Sequence, residues 1–358
     1  MRYPKDLSPN GTIGFLAPSF GCATEPYFSA FQNALSKWKA LGHTTKLGPN
    51  CLSGSGIGIS NTPKLCGEEV TASFLDDESD CLISCGGGEL MCEILDYVDF
   101  DEIRKCEPKW FMGYSDNTNL TFLLATICDT ASIYGPCAAA FGMEPWHASL
   151  EDAYALLTGQ KRIMTGYDLW EKDSLKDEEH PLLPYHVTEK RQHKLYLNGC
   201  FIDTAEVDSL DTKESVTVQT QITGRLLGGC MDCLSNLVGT RYDKTVEFAN
   251  RYKQDGILWF LEACDLNVYG IRRSMWQLEH AGWFQHVKGF LIGRARNGEP
   301  MMGLDAYQAV LDVAAKYQVP VIMDMDIGHY APMMPLVTGS MATVDVNGND
   351  VQIAMEYR

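Results

Sequence analysis

Residues 111–120 read FMGYSDNTNL: an apolar run, then Gly113-Tyr114-Ser115-Asp116, then helix-forming sequence with no loop between. A strand that turns into a helix within four residues is the joint from which parallel α/β layers are built. A serine at such a joint has two readings. Either Ser115 or Asp116 caps the helix, or Ser115 holds its hydroxyl out as a nucleophile, with the backbone N–H of Asp116 at the helix start aimed at a developing oxyanion.

The surrounding sequence repeats this joint. GTIGFLAPS (11–19) and CLISCGGG (81–88) are strand-like, and YFSAFQNALSKWKALG (27–42) has helical spacing and a glycine stop. Alternation of this kind predicts an α/β domain with parallel strands over 1–160. The stretch YDLWEKDSLKDEEHPLLPYHVTEKRQH (167–193) is charged, proline-bearing and weakly periodic, so 161–200 reads as a linker or mobile loop. Beyond it QITGRLLGG, GILWFLEACD, GFLIGRA and VPVIMDMDIGH read as strands and IRRSMWQLEHAGWF as a helix, predicting a second, mixed α/β domain over 201–358. A length of 358 residues accommodates two domains of ordinary size.

Composition narrows the function. With 45% apolar and 21% charged residues the chain is globular, and 29 basic against 47 acidic residues leave a net charge of −18. That balance argues against nucleic acid or an anionic membrane as partner, since phosphate binding needs a basic face. The N-terminal MRYPKDLSPNGTIGFLAPSF lacks a basic stretch followed by a long apolar core, and no apolar run reaches the length of a membrane span. A cytoplasmic protein is expected. Several of the thirteen cysteines lie in apolar runs such as CLISC, as buried thiols of a reducing compartment do. Cys230 and Cys233 form a CxxC without a second CxxC or an HxxxH at finger-like spacing, so neither metal nor cofactor is expected.

Chemistry concentrates at four strand ends: GYSDN itself, CGGGEL (85–90), and the pair LWFLEACD and MDMDIGHYAP. Three glycines let a backbone approach a ligand closely, although neither GxGxxG nor GxxxxGK[ST] is present, which weighs against a dinucleotide-dependent reductase. Glu262 ends an apolar strand, where a buried carboxylate requires a partner. His329 is a candidate for that partner, with a purely structural hydrogen bond as the alternative. The order Ser, Glu, His is that of α/β-hydrolase triads, but Asn117 stands where their GxSxG elbow has its second glycine.

APS (17–19), the glycine loop, GYSD, YGP (134–136), GRLLGG (224–229) with GT (239–240), LE (261–262), GR (293–294) and GH (328–329) followed by Pro332 occur in that order. Together they resemble the LD-carboxypeptidases, a family that includes the MccF-like self-immunity peptidases. The resemblance implies a flavodoxin-like N-terminal domain, a smaller swivelling mixed α/β C-terminal domain, a homodimer, and a serine peptidase with Ser115 as nucleophile, His329 as base and Glu262 as acid. It further implies oxyanion donors at the backbone of Gly87 and Asp116. The substrate it implies is a cytoplasmic muropeptide losing a terminal D-alanine; the alternative is an MccF-like amidase acting on aminoacyl or peptidyl nucleotides. Cys85, Gly88 and Cys230 depart from residues common in the family, which leaves the triad intact but bears on substrate preference; Gly88 is a candidate substrate contact. Arg225, Arg294 and Arg296 are candidates to pair a substrate carboxylate, and Trp146 and Trp170 are candidate stacking platforms.

Overall fold

The computed structural model describes residues 1–202 and 219–358; of the C-terminal domain expected from residue 201, residues 203–218 lie outside the described residues. The chain divides into two compact units. The first comprises 1–161, 173–186 and 335–339, and the second 162–172, 187–334 and 340–358.

In the first unit five parallel strands, β1 (Thr12–Leu16), β2 (Thr44–Leu47), β3 (Cys81–Ser84), β4 (Trp110–Gly113) and β5 (Ser132–Tyr134), lie in the order 2-1-3-4-5. This is the flavodoxin-like order, whose ligands bind beyond the carboxyl ends of the strands where the order reverses. The helices between the strands are α1 (Tyr27–Ala40), α2 (Pro63–Leu75), α3 (Phe100–Lys105) and α4 (Thr118–Thr126), with α5 (Ala148–Leu157) after β5. β3 and β4 are buried along their whole length, as near-continuous apolar strands covered on both faces must be. All nine residues of α4 are buried, so the helix that follows Ser115 is sunk in the core rather than laid on the surface.

The second unit is built on a nine-stranded sheet. Its centre is parallel: β11 (Gln219–Cys230), β12 (Ile257–Glu262), β13 (Val287–Gly293) and β14 (Val321–Met325) are neighbours in that order. Short antiparallel strands extend it on both sides, β9 (Lys194–Leu197) and β10 (Cys200–Ile202) beyond β14, and β16 (Met341–Asn347), β17 (Asp350–Glu356) and β6 (Ile163–Thr165) beyond β11. The segment 161–200, read from the sequence as linker or loop, therefore carries strands, including the two-residue pair β7 (Leu169–Trp170) and β8 (Glu189–Lys190). β15 (Leu336–Thr338) is itself part of the first unit, where it pairs antiparallel with β5 at the edge of that sheet. Helices α6 (Met231–Leu237), α7 (Thr245–Arg251), α8 (Val268–His280) and α9 (Ala306–Ala314) complete the unit. In α8 the buried Val268, Ile271, Met275 and Leu278 recur at helical spacing, and Asn267 caps its first turn by accepting from the Gly270 N–H. Among the described residues no helix is long and apolar enough to cross a membrane.

Candidate active site

Ser115 follows β4 and has φ +63, in the left-handed region. A non-glycine residue there costs about 1–3 kcal/mol and persists only where its surroundings over-determine it. They do so here. The buried Asp116 carboxylate accepts from the Ser19 hydroxyl (2.6 Å) and the Met91 N–H (2.9 Å), tying the corner to the segments after β1 and β3. Asn117 Nδ2 donates to the carbonyls of Gly86 (2.8 Å) and Tyr114 (3.1 Å). The N-cap of α4 falls on Asn117 and makes no side-chain cap bond, so helix capping does not account for Ser115. The glycine loop comes very close. A Cβ on Gly87 would stand 3.0 Å from both Cβ and Oγ of Ser115, a separation that glycine alone accommodates comfortably. Gly88 is boxed in as well: its added Cβ would meet Ser19 Oγ at 2.2 Å.

Glu262 and His329 meet in the second unit. Glu262 is the last residue of β12 and fully buried, and its Oε2 lies 2.9 Å from His329 Nδ1. Gly328, with φ +101, makes the approach feasible, because a Cβ there would fall 2.6 Å from the same Oε2. Burial opposes a charged imidazole at His329. The Glu262 charge, together with the hydrogen bonds that the ring makes to Cys264 and Glu262, outweighs it and holds the histidine well above its ordinary range. Asp232, which the sequence reading passed over, pins the turn behind the pair: its carboxylate accepts the N–H groups of Cys264 (3.1 Å), Asp265 (2.9 Å) and Leu266 (3.0 Å). In sequence it is an unremarked acid in the first turn of α6.

Beside this pair the second unit holds a cavity of about 630 Å³, lined by Trp170, Tyr330, Arg294, Arg296, Lys172 and Tyr307 among others. Trp170 and Tyr330 meet edge-on with ring centres 5.0 Å apart, and the Arg294 guanidinium sits 5.0 Å from the Trp170 ring centre. Arg294 is 7% exposed; its Nη1 donates to Asp326 Oδ1 at 2.8 Å, while its buried Nη2 has no hydrogen-bond partner among the described residues. Burial raises the Asp326 carboxyl although Arg294 opposes it. Asp326 Oδ2 also accepts the Tyr167 N–H (2.8 Å), anchoring the segment that leads to Trp170. His193, 4.0 Å from Asp326, is pushed down to about 3 by burial and by Arg294 and Arg191, so it stands neutral behind the cavity.

Two sequence expectations are corrected. Arg225 pairs with Ile257 at the start of β12, whereas Cys230 pairs with Glu262 at its end; five residues of strand put Arg225 roughly 16 Å from the Glu262 end. Its guanidinium is taken up by Asp255 (Nε–Oδ2 2.9 Å) and stacks over Tyr252, so it is no substrate contact of this site. Trp146 packs among Trp38, Phe141 and Tyr154 and donates to the Phe141 carbonyl, a core anchor rather than a platform. All thirteen cysteines are free thiols.

A flavodoxin-like parallel sheet in one unit and a mixed sheet with a parallel centre in the other define a two-domain α/β protein. Residues 13–135 match the LD-carboxypeptidase N-terminal domain and residues 223–344 the LD-carboxypeptidase C-terminal domain. The chain belongs to the LD-carboxypeptidase family and with it to the serine peptidases. It is similar to a putative carboxypeptidase of Vibrio cholerae, 25% identical over 99% of this chain and 98% of that one. The microcin C7 self-immunity protein MccF of Escherichia coli is 24% identical over 83% of this chain and 80% of its own. Among solved structures, MccF in complex with aspartyl sulfamoyl adenosine superposes with a TM-score of 0.78 at 21% identity, covering 99% of this chain and 98% of that one. An MccF-like protein from Bacillus anthracis does so at 0.79 and 20%, covering 99% and 100%.

Proposed function

We propose that the protein hydrolyses an amide bond through Ser115, His329 and Glu262, and that its substrate ends in a free carboxylate, as a muropeptide ending in D-alanine does. The observation that carries the chemistry is the 2.9 Å bond between His329 Nδ1 and the buried Glu262 carboxylate. With Nδ1–H donating to Glu262, Nε2 is the basic nitrogen and takes the Ser115 proton as the hydroxyl attacks the carbonyl. The imidazolium that results is stabilised by Glu262. It then returns the proton to the leaving amine, and water hydrolyses the acyl-enzyme by the same route. The backbone N–H groups of Gly87 and Asp116 serve the oxyanion. The carboxylate terminus is assigned to Arg294, whose buried Nη2 donor is left over after Asp326 is paired.

A second reading has its own support. The Trp170–Tyr330 corner in a cavity of about 630 Å³ suits a flat heteroaromatic leaving group, as in the aminoacyl sulfamoyl nucleotides bound by MccF. Purified protein should be offered a murein tetrapeptide and an aminoacyl sulfamoyl adenosine side by side. Release of D-alanine with the nucleotide intact is the expected result, and Arg294→Lys should raise the peptide KM about tenfold or more, the worth of a charge-assisted hydrogen bond. Cleavage of the nucleotide alone would replace the muropeptide by the second substrate class and leave the three-residue assignment standing.

A further inference from the structure

Cys230, at the end of β11, faces Glu262 across the sheet register and stands beside the same histidine. One ligand atom from each of Cys230, Glu262 and His329 lies within 4.8 Å of the other two, and all three side chains are buried or nearly so. A thiol, a carboxylate and an imidazole form the donor set of borderline divalent metals. In a tetrahedral zinc site, with bonds of about 2.0–2.3 Å, such atoms stand roughly 3.3–3.6 Å apart, so separations of up to 4.8 Å need to close by at most about 1.5 Å. The His329–Glu262 pair, at 2.9 Å, needs to open by about 0.5 Å. A second carboxylate, Asp232 Oδ2, accepts the Cys230 thiol at 3.3 Å and is itself held by the backbone of the turn, which is the outer-shell support that metal-ligating residues need. The Cys264 sulfur hydrogen-bonds His329 as well.

We propose that Cys230, Glu262 and His329 form a zinc-binding site that switches the enzyme off. On binding, metal–sulfur, metal–oxygen and metal–nitrogen bonds form, and the S–H bond of Cys230 and the Nδ1–H bond of His329 break; the thiol proton passes to the buffer, and the Nδ1 proton moves to Nε2, or to the buffer where Nε2 already carries one. One thiolate and one carboxylate against a divalent cation leave the buried site neutral, which removes the main cost of placing an ion there. The metal takes the histidine nitrogen that faces Glu262, so the remaining ring proton is fixed on Nε2 and that nitrogen can no longer accept one from Ser115. The inhibitory half rests on the reading of His329 as the base; the binding half does not. Cys233 hydrogen-bonds Cys230 but is not one of the three grouped donors, so the CxxC spacing as such does not define the site.

The test is titration of Zn²⁺ into the intact protein by calorimetry, with Co²⁺ as a spectroscopic probe and hydrolysis measured in parallel, on wild type, Cys230→Ala and Cys233→Ala. One equivalent bound by wild type and by Cys233→Ala, a thiolate-to-cobalt charge-transfer band, and affinity at least a hundredfold weaker in Cys230→Ala are expected. Hydrolysis by wild type should fall with zinc occupancy and return with a chelator, while Cys230→Ala keeps its own metal-free rate at the same zinc concentration. Circular dichroism establishes that the variants are folded. Absence of stoichiometric binding, or equal binding by Cys230→Ala, overturns the site. Zinc held through Cys230 with hydrolysis unchanged would uphold the site and sink the assignment of His329 as base.

Discussion

Replacing Glu262 by glutamine preserves the shape of a fully buried side chain and one acceptor for His329 Nδ1–H, and removes only the charge. A hydrogen bond to an ionised partner is worth about 1.5–3 kcal/mol against roughly 0.5–1.5 for a neutral one, so the imidazolium loses about 1–1.5 kcal/mol, close to one pKa unit. Burial, which in the wild type is outweighed by Glu262, is then opposed chiefly by Cys264. The histidine should therefore move from above its ordinary 6.5 toward or below it. The assay is kcat/KM against pH from about 5 to 9, where the acid limb reports the base of the free enzyme. In wild type that limb should lie above the ordinary imidazole range. In Glu262→Gln it should lie at lower pH, with a plateau reduced at least about tenfold because the transition-state imidazolium has lost its counter-charge, and by up to about 10⁴ if the amide selects the wrong tautomer. Stability follows the same ionisation. Because the folded pKa of His329 is raised, its contribution is complete below the unfolded value and is lost as pH rises through the folded one, a decline that Glu262→Gln should erase. Identical acid limbs in the two proteins would refute the electrostatic coupling and with it the role of Glu262.

Two further outcomes are expected. Ser115→Ala should fold and lose hydrolysis by several orders of magnitude, and Ser115→Gly should be equally inactive but more stable than Ser115→Ala by about 1 kcal/mol, since glycine alone relieves the +63° φ; urea unfolding of the pair measures it. His193, held neutral with its pKa near 3, makes the fold acid-sensitive: stability should fall by about 1.4 kcal/mol per pH unit below 6.5, and His193→Gln should remove that slope in unfolding curves taken between about pH 4 and 6.

Much of this was legible in the chain. The strand-to-helix corner after β4 at Ser115, the apolar run that ends in Glu262 as the last residue of β12, and the glycine before His329 are local patterns that a linear reading detects. Arg225 and Arg294 show the limit. Both follow a glycine in a strand-like run, yet one lies at the start of the parallel-paired part of its strand and the other just past the end, and only the register with β12 tells them apart. Trp146 and Trp170 differ in the same way, because a tryptophan in a polar stretch carries no local sign of whether its ring packs on the core. The strands of 161–200 are two to four residues long and pair with partners as far along the chain as Ala354 is from Ile163, too short to set up a period of two. Asp232 escaped because its function is to receive backbone N–H groups from a turn some thirty residues on.

The central claim is that Ser115 is the nucleophile and His329 its base. Labelling the intact protein with a serine-directed phosphonate, and mapping the modified peptide by mass spectrometry, tests it most directly. One equivalent should appear on the peptide containing GYSDN, at Ser115, and the rate of labelling should collapse in His329→Ala and in Ser115→Ala alike. Modification at another serine, or labelling of Ser115 at an undiminished rate without His329, would contradict the account.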